Sequence, residues 1–177
     1  KELNLTNTAK KPKFPLVIMC GYFDNKSNTD AALWFIKSIW PLIISRNNKI
    51  RCWFIGKGIN NEMMKASLNK SNITMIPDID DLRPYRKSAS VFINPMRLGS
   101  GLRIKILEAM GSGLPVVSTS LGAAGIPAQN GENCIIGDTP KEFADAILWL
   151  INDKNLANRI GKNGKDMVKQ RYEINKC

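Results

Sequence analysis

The sequence predicts an α/β fold, a three-layer α/β/α sandwich around a six-stranded parallel sheet. Two observations carry this expectation. Six short, continuously apolar runs recur along the 177 residues: 15–21 (PLVIMCG), 50–56 (IRCWFIG), 73–77 (ITMIP), 90–95 (SVFINP), 114–119 (LPVVST) and 133–137 (NCIIG). Their length suits strands, and their lack of alternation suits strands covered on both faces. The segments between them have helical spacing, and strands alternating with helices imply parallel pairing through right-handed crossovers.

The first dozen residues are polar and basic and read as a linker, so residues 1–14 are expected to be an interdomain remnant and 15–177 one domain. After the first strand, Asn28 to Ile44 places Ala31, Leu33, Trp34, Phe35, Ile36, Ile39 and Trp40 at helical spacing, with Asn28 as N-cap and Asp30 in the first turn. Pro41 is expected to kink or end this helix. Further helices are predicted over Asn61–Asn69, Leu82–Ser88, from about Gly101, over Lys141–Leu150, and over a polar stretch from about Asn155 to Tyr172. That last helix is expected to be a solvated face or to pack on a partner domain. Ligands of such sheets sit beyond the carboxyl ends of the strands, where the loops after Gly21, Gly56, Pro77, Pro95 and Thr119 gather.

Composition narrows the chemistry. An apolar fraction of 44% and a charged fraction of 23% suit a soluble globular domain, and no apolar run reaches the span of a bilayer. The four cysteines form no CxxC pair and histidine is absent, which argues against a zinc site and removes the commonest general base. Cys20 and Cys52 lie in strand-like runs, as small buried residues of a reducing, cytoplasmic setting. The net charge of +11 favours anionic partners: phosphorylated ligands, an anionic membrane face at the inner surface, or nucleic acid. The basic residues are scattered, without the dense or aromatic-studded block that nucleic acid needs, so no nucleic-acid partner is expected.

The chemistry concentrates in Arg97–Thr119, RLGSGLRIKILEAMGSGLPVVST. On a helical wheel Gly101, Lys105, Glu108 and Ser112 fall in one stripe about 60° wide, and the apolar residues fill the rest. Such a helix is expected to be packed nearly all round and to show only that stripe. A simple i,i+3 pair between Lys105 and Glu108 is the plainer reading. The preceding GSG favours a ligand instead, because glycines let backbone N–H groups approach an anion at a helix start. Arg97, Arg103 and Lys105 surround that point with positive charge, and the Glu108 carboxylate one turn on can accept bonds from sugar hydroxyls.

These residues resemble a known family. PMRLGSGLRIKILEAMGSGLPVVSTSLGAAGI is similar to the donor-binding signature of GT-B glycosyltransferases of family 4, P-S-x-x-E-G-F-G-L-P-x-L-E-A-M-A-x-G-x-P-V-V-A-S. GYFDNKSNTDAALWFIKSIWPLI, FIGKG, NITMIPDIDDLRPYRKSASVFINP and the run from NGENCIIGDTP onward resemble its other segments, over nearly the whole chain. The resemblance implies a Rossmann-like domain, the C-terminal half of a GT-B fold. It implies transfer of a sugar from a nucleotide diphosphate sugar, UDP- or GDP-linked, to a hydroxyl acceptor, with retention of configuration. It implies no metal or other cofactor, an acceptor-binding N-terminal half as partner, and, for a bacterial member, surface-polysaccharide synthesis.

By the same resemblance Glu108 aligns with the second glutamate of the family's E-x7-E, which holds the ribose hydroxyls, and it pairs with Lys105 as the catalytic set. Gly101, Leu102 and Arg103 align with the loop that meets the diphosphate and sugar. Ser100 stands where the first glutamate usually contacts the donor sugar. The family's basic pair after the first strand is replaced by Tyr22 and Ser27, with Lys26 beside the lysine position and Gly21 opening the loop. Arg103 and Lys105 then supply charge from the opposite side, as in a subgroup reading G-S-G-T-R-L-K-I-L-E-A. Pro77 and Ile79 are expected to flank the base.

Three other readings carry less. GKG at 56–58 lacks the third glycine of a dinucleotide fingerprint and suffices as a turn. DIDD at 78–81 resembles the metal-binding DxD of GT-A enzymes but fits an acidic cluster at a helix start. A non-catalytic nucleotide-binding or regulatory module, or a basic nucleic-acid-binding domain, remains the alternative to an enzyme.

Overall fold

Leu16–Cys20 (β1) lies at the centre of the sheet and is wholly buried. The computed structural model describes residues 12–70, 72–100 and 103–173. Five further strands are Arg51–Gly56 (β2), Ile73–Pro77 (β3), Val91–Asn94 (β4), Val116–Ser118 (β5) and Ile135–Ile136 (β6). Every pairing is parallel, and the order is β3-β2-β1-β4-β5-β6. This is the predicted six-stranded sheet, each strand falling inside its apolar run.

Side chains leave β1 alternately to two cores, which explains the unbroken apolar runs. Val17 and Met19, with Phe54, Ile93 and Val117, face a cluster containing Phe35, Ile36, Phe143 and Ile147. Leu16, Ile18 and Cys20, with Trp53, Phe92 and Val116, face Tyr85, Ile106, Ala109 and Met110. The first side is covered by Lys26–Trp34 (α1), Trp40–Ile44 (α2), Asn61–Ser67 (α3) and Pro140–Asn152 (α6). The second is covered by Arg83–Ser88 (α4) and Ile104–Gly111 (α5), with Lys154–Val168 (α7) packing along α5.

Helix details differ from the sequence expectations for local reasons. The first helix starts at Lys26, and its cap is Asn25, whose Oδ1 accepts from Ser27 N at 2.8 Å, not Asn28. Between α1 and α2 the chain widens into a π turn at Phe35–Ile39, where Trp40 N–H donates to Phe35 O. Pro41 has no N–H to give, and the wider turn lets the helix continue past it. The signature helix begins only at Ile104 and is not packed all round. Ile104 is 64% exposed and Glu108 and Ser112 are exposed, whereas Lys105 turns inward. The C-terminal helix is amphipathic: it buries Leu156, Ile160, Gly161, Gly164 and Val168, so its partner is α5 of the same domain.

Candidate functional site

The sheet order reverses at β1, whose next strand β2 lies on one side while β4 pairs on the other. Loops leaving neighbouring strands there diverge and open a crevice at their carboxyl ends. The loop after β1 forms one wall. Gly21 N–H donates to Ile55 O at 3.1 Å and Phe23 N–H to Lys57 O at 2.7 Å, so this loop rests on the loop after β2. GKG makes that contact sterically possible. Gly56 has φ +141° and a Cβ there would lie 2.0 Å from Gly21 O, while one on Gly58 (φ +75°) would lie 2.4 Å from Asp24 N. The motif is thus a packing turn, as the missing third glycine suggests.

The other wall is the β4–α5 loop. A buried polar cluster fixes its base: Thr119 Oγ1 donates to Met96 O at 2.5 Å, Ser118 Oγ to Asn94 O at 3.2 Å and Asn94 Nδ2 to Gly122 O at 3.1 Å. The asparagine inside VFINP was the sequence signal for this cluster, since a polar residue in a buried strand needs partners.

Lys105 joins the two walls. Its Nζ donates to Asn28 Oδ1 at 2.7 Å, while Asn28 Nδ2 donates to Tyr22 O at 2.7 Å. One asparagine therefore ties the β1 loop to the lysine, a role the sequence reading gave instead to a helix cap. Burial, and the nearby positive charge of Arg103, lower the Lys105 pKa from 10.5 to about 8. Arg103 donates weakly from Nη2 to Leu98 O at 3.5 Å, and its buried Nε–H has no acceptor among the described residues. Glu108 does not pair with Lys105; it accepts from Arg86 Nη1 at 3.0 Å.

The remaining predicted positions that are described lie at or after the carboxyl ends of β1, β3 and β4. Arg97 is held away toward α1, doubly bonded to Asp30 at 2.7 and 3.1 Å and stacked over the Trp34 ring. Tyr22, Lys26, Pro77 and Ser100 are exposed, Gly21 is half-buried, and Ile79 packs against the α4–α5 core. Gly101 and Leu102 lie outside the described residues. In the DIDD loop Asp80 pairs with Lys57 at 3.1 Å and Asp81 with Arg83 at 2.9 Å, so two of its carboxylates are engaged at or near the start of α4.

A doubly wound, all-parallel sheet with this strand order defines a Rossmann-like domain, and its switch point carries Lys105. Residues 14–153 match the model of the glycosyl transferases group 1 family, and the chain belongs to that family. It is 28% identical over 178 residues to an uncharacterized 44.6 kDa protein of the cps region of Klebsiella pneumoniae, covering 94% of this chain and 46% of that protein. It is 27% identical over 141 residues to the capsular polysaccharide biosynthesis glycosyltransferase CapM of Staphylococcus aureus, covering 75% and 37% of the two chains. Among solved structures, Anabaena Alr3699/HepE in complex with UDP and glucose shares the fold with a TM-score of 0.76 at 15% identity, over 89% of this chain and 44% of that one. The chain therefore spans less than half the length of these relatives. Among the described residues no helix is long and apolar enough to cross a membrane.

Proposed function

We propose that this chain is the nucleotide-sugar-binding half of a transferase that moves a sugar from a UDP- or GDP-sugar to a hydroxyl acceptor, with retention of configuration, in surface-polysaccharide synthesis. The observation that carries the proposal is Lys105, an ammonium held in the crevice by Asn28 beside Arg103, whose Nε–H has no acceptor among the described residues. Two cations concentrated at the start of α5 suit a diphosphate, and the helix end adds to them. Glu108, one turn along, suits the ribose hydroxyls. As the bond from the anomeric carbon to the diphosphate breaks, negative charge grows on the leaving oxygen. Lys105 and Arg103 are placed to stabilise it without a divalent cation. A capsular polysaccharide biosynthesis glycosyltransferase among its relatives and a protein of the same fold in complex with UDP and glucose support the same reading. The acceptor pocket and an upstream half joined through residues 1–14 belong to the same proposal, as do a cytoplasmic location, a peripheral contact with an anionic membrane and an inability of this domain alone to transfer sugar.

Calorimetric titration of the chain with UDP, GDP and their sugar conjugates in excess EDTA tests the core of this proposal. Binding is expected to persist without metal, and Glu108→Ala is expected to weaken it by about 2 kcal/mol through loss of charge-assisted bonds. Unchanged affinity in Glu108→Ala would remove the ribose assignment, and a strict need for Mg²⁺ or Mn²⁺ would remove the cation-independent one.

The lowered pKa of Lys105 adds a pH dependence. An anion is held by the protonated form, so affinity is expected to fall as pH rises through about 8. Lys105→Arg, which stays charged throughout, is expected to flatten that profile. Folding has the opposite sign. Between about 8 and 10.5 the unfolded lysine keeps a proton that the folded one has released, so this residue's contribution to stability rises with pH across that window. A UDP or GDP titration series from neutral to alkaline pH, with thermal melts alongside, reads both; a pH-independent affinity in the unaltered chain would contradict the role of Lys105.

A further inference from the structure

We infer that Arg86 is the positioning residue for Glu108, fixing its carboxylate for the vicinal hydroxyls of a ribose; the inference rests on the nucleotide reading above. Arg86 comes from α4, whose sequence signals nothing beyond a short helix. Its Nη1 donates to Glu108 Oε2 at 3.0 Å, across 22 positions of the chain and between two helices. The pair is asymmetric: the Arg86 side chain is 12% exposed and that of Glu108 49%.

That asymmetry separates it from an ordinary surface ion pair. Two exposed partners trade each other for water at little cost. A guanidinium with only 12% of its surface exposed has little water to replace its carboxylate, so the bond persists and fixes the rotamer of the glutamate. An ionised carboxylate offers about four lone-pair sites, and this bond occupies one. The others remain on a half-exposed group that can accept two hydroxyl protons at once. Tyr85 beside Arg86 and Ala109 beside Glu108 pack in one core with Cys20, the last residue of β1, so both helices lie against the central strand. Without Arg86 the Glu108 side chain would be a flexible exposed group, and ordering it would oppose ligand binding.

The test separates ribose recognition from general structural support. The chain is titrated with UDP and GDP and with their 2′,3′-dideoxy counterparts. Arg86→Met is expected to lose about tenfold in affinity for the ribonucleotide, a change of 1.4 kcal/mol, and nothing for the dideoxy analogue, which has no diol to read. Unchanged dideoxy binding also shows that the variant is folded. Arg86→Lys keeps the charge without the planar fork and is expected to fall between the two; it carries the test if the methionine variant melts below the assay temperature. Equal losses for both nucleotides, or no loss for either, would overturn the inference. Collapse of ribose discrimination in Glu108→Ala but in neither Arg86 variant would overturn it while sparing the proposed function. Failure of the unaltered chain to bind either diphosphate would overturn both.

Discussion

Lys105→Met is expected to weaken binding of UDP or GDP about a hundredfold while leaving uridine or guanosine binding nearly unchanged. A hundredfold corresponds to about 2.7 kcal/mol, within the range for hydrogen bonds to a charged group. The methionine keeps the length of the lysine stem and removes only the ammonium. The fold should tolerate it, because a half-buried ammonium already pays a desolvation cost in the free chain. The substitution does release Asn28 Oδ1 from its bond at 2.7 Å, so the β1 loop loses one tie while keeping that from Asn28 Nδ2 to Tyr22 O. Isothermal titration with each nucleotide and its nucleoside decides the matter. Equal losses for both would mean that the lysine acts only through the loop, and the diphosphate assignment would fall.

Gly56→Ala is expected to destabilise the domain by about 4 kcal/mol, adding backbone strain of about 1–3 kcal/mol to a steric clash of similar size. The last residue of β2 holds φ +141°, and its Cβ would lie 2.0 Å from the carbonyl oxygen of Gly21. That neighbour is backbone at the end of the adjacent strand, itself pinned by the bond from Gly21 N–H to Ile55 O at 3.1 Å, so it cannot swing aside. Gly131→Ala is the matched control. It has φ +79° with nothing within 4 Å of the added methyl, and is expected to cost only the conformational part, about 1 kcal/mol. Thermal unfolding of the two variants compares them directly. A shift for Gly56→Ala no larger than for Gly131→Ala would show that the two loops separate easily. Because the same contact seats the β1 loop, Gly56→Ala is also expected to weaken nucleotide binding in whatever fraction remains folded.

How much of this was legible in the sequence depends on the range of the interaction involved. The six strands, their parallel pairing and the helices between them follow from local patterns. An unbroken apolar run of strand length has few outcomes other than burial on both faces, and Val17 and Leu16 indeed face opposite cores. The stretch 97–119 marked itself by the same means, since GSG followed by a cationic helix start has a chemistry of its own whatever surrounds it.

Other features needed the third dimension. Helical spacing puts Lys105 and Glu108 on one stripe, but it could not choose which side of that stripe faces the sheet. The structure turns Lys105 inward to Asn28 and leaves Glu108 half exposed against Arg86, so the near neighbours in sequence are not partners in space. Arg97 lies in the same loop as the other basic residues, yet Asp30 and the Trp34 ring draw it toward α1. The packing of α7 on α5 was likewise set by which surfaces met. The sequence by itself determined the elements, the layering and the segment that carries the chemistry, because these depend on periodicity and composition over a few turns. Only the tertiary structure decided which charges face the crevice and which neutralise one another, because the bonds of Lys105 to Asn28, Glu108 to Arg86 and Arg97 to Asp30 join residues tens of positions apart whose directions no local pattern encodes.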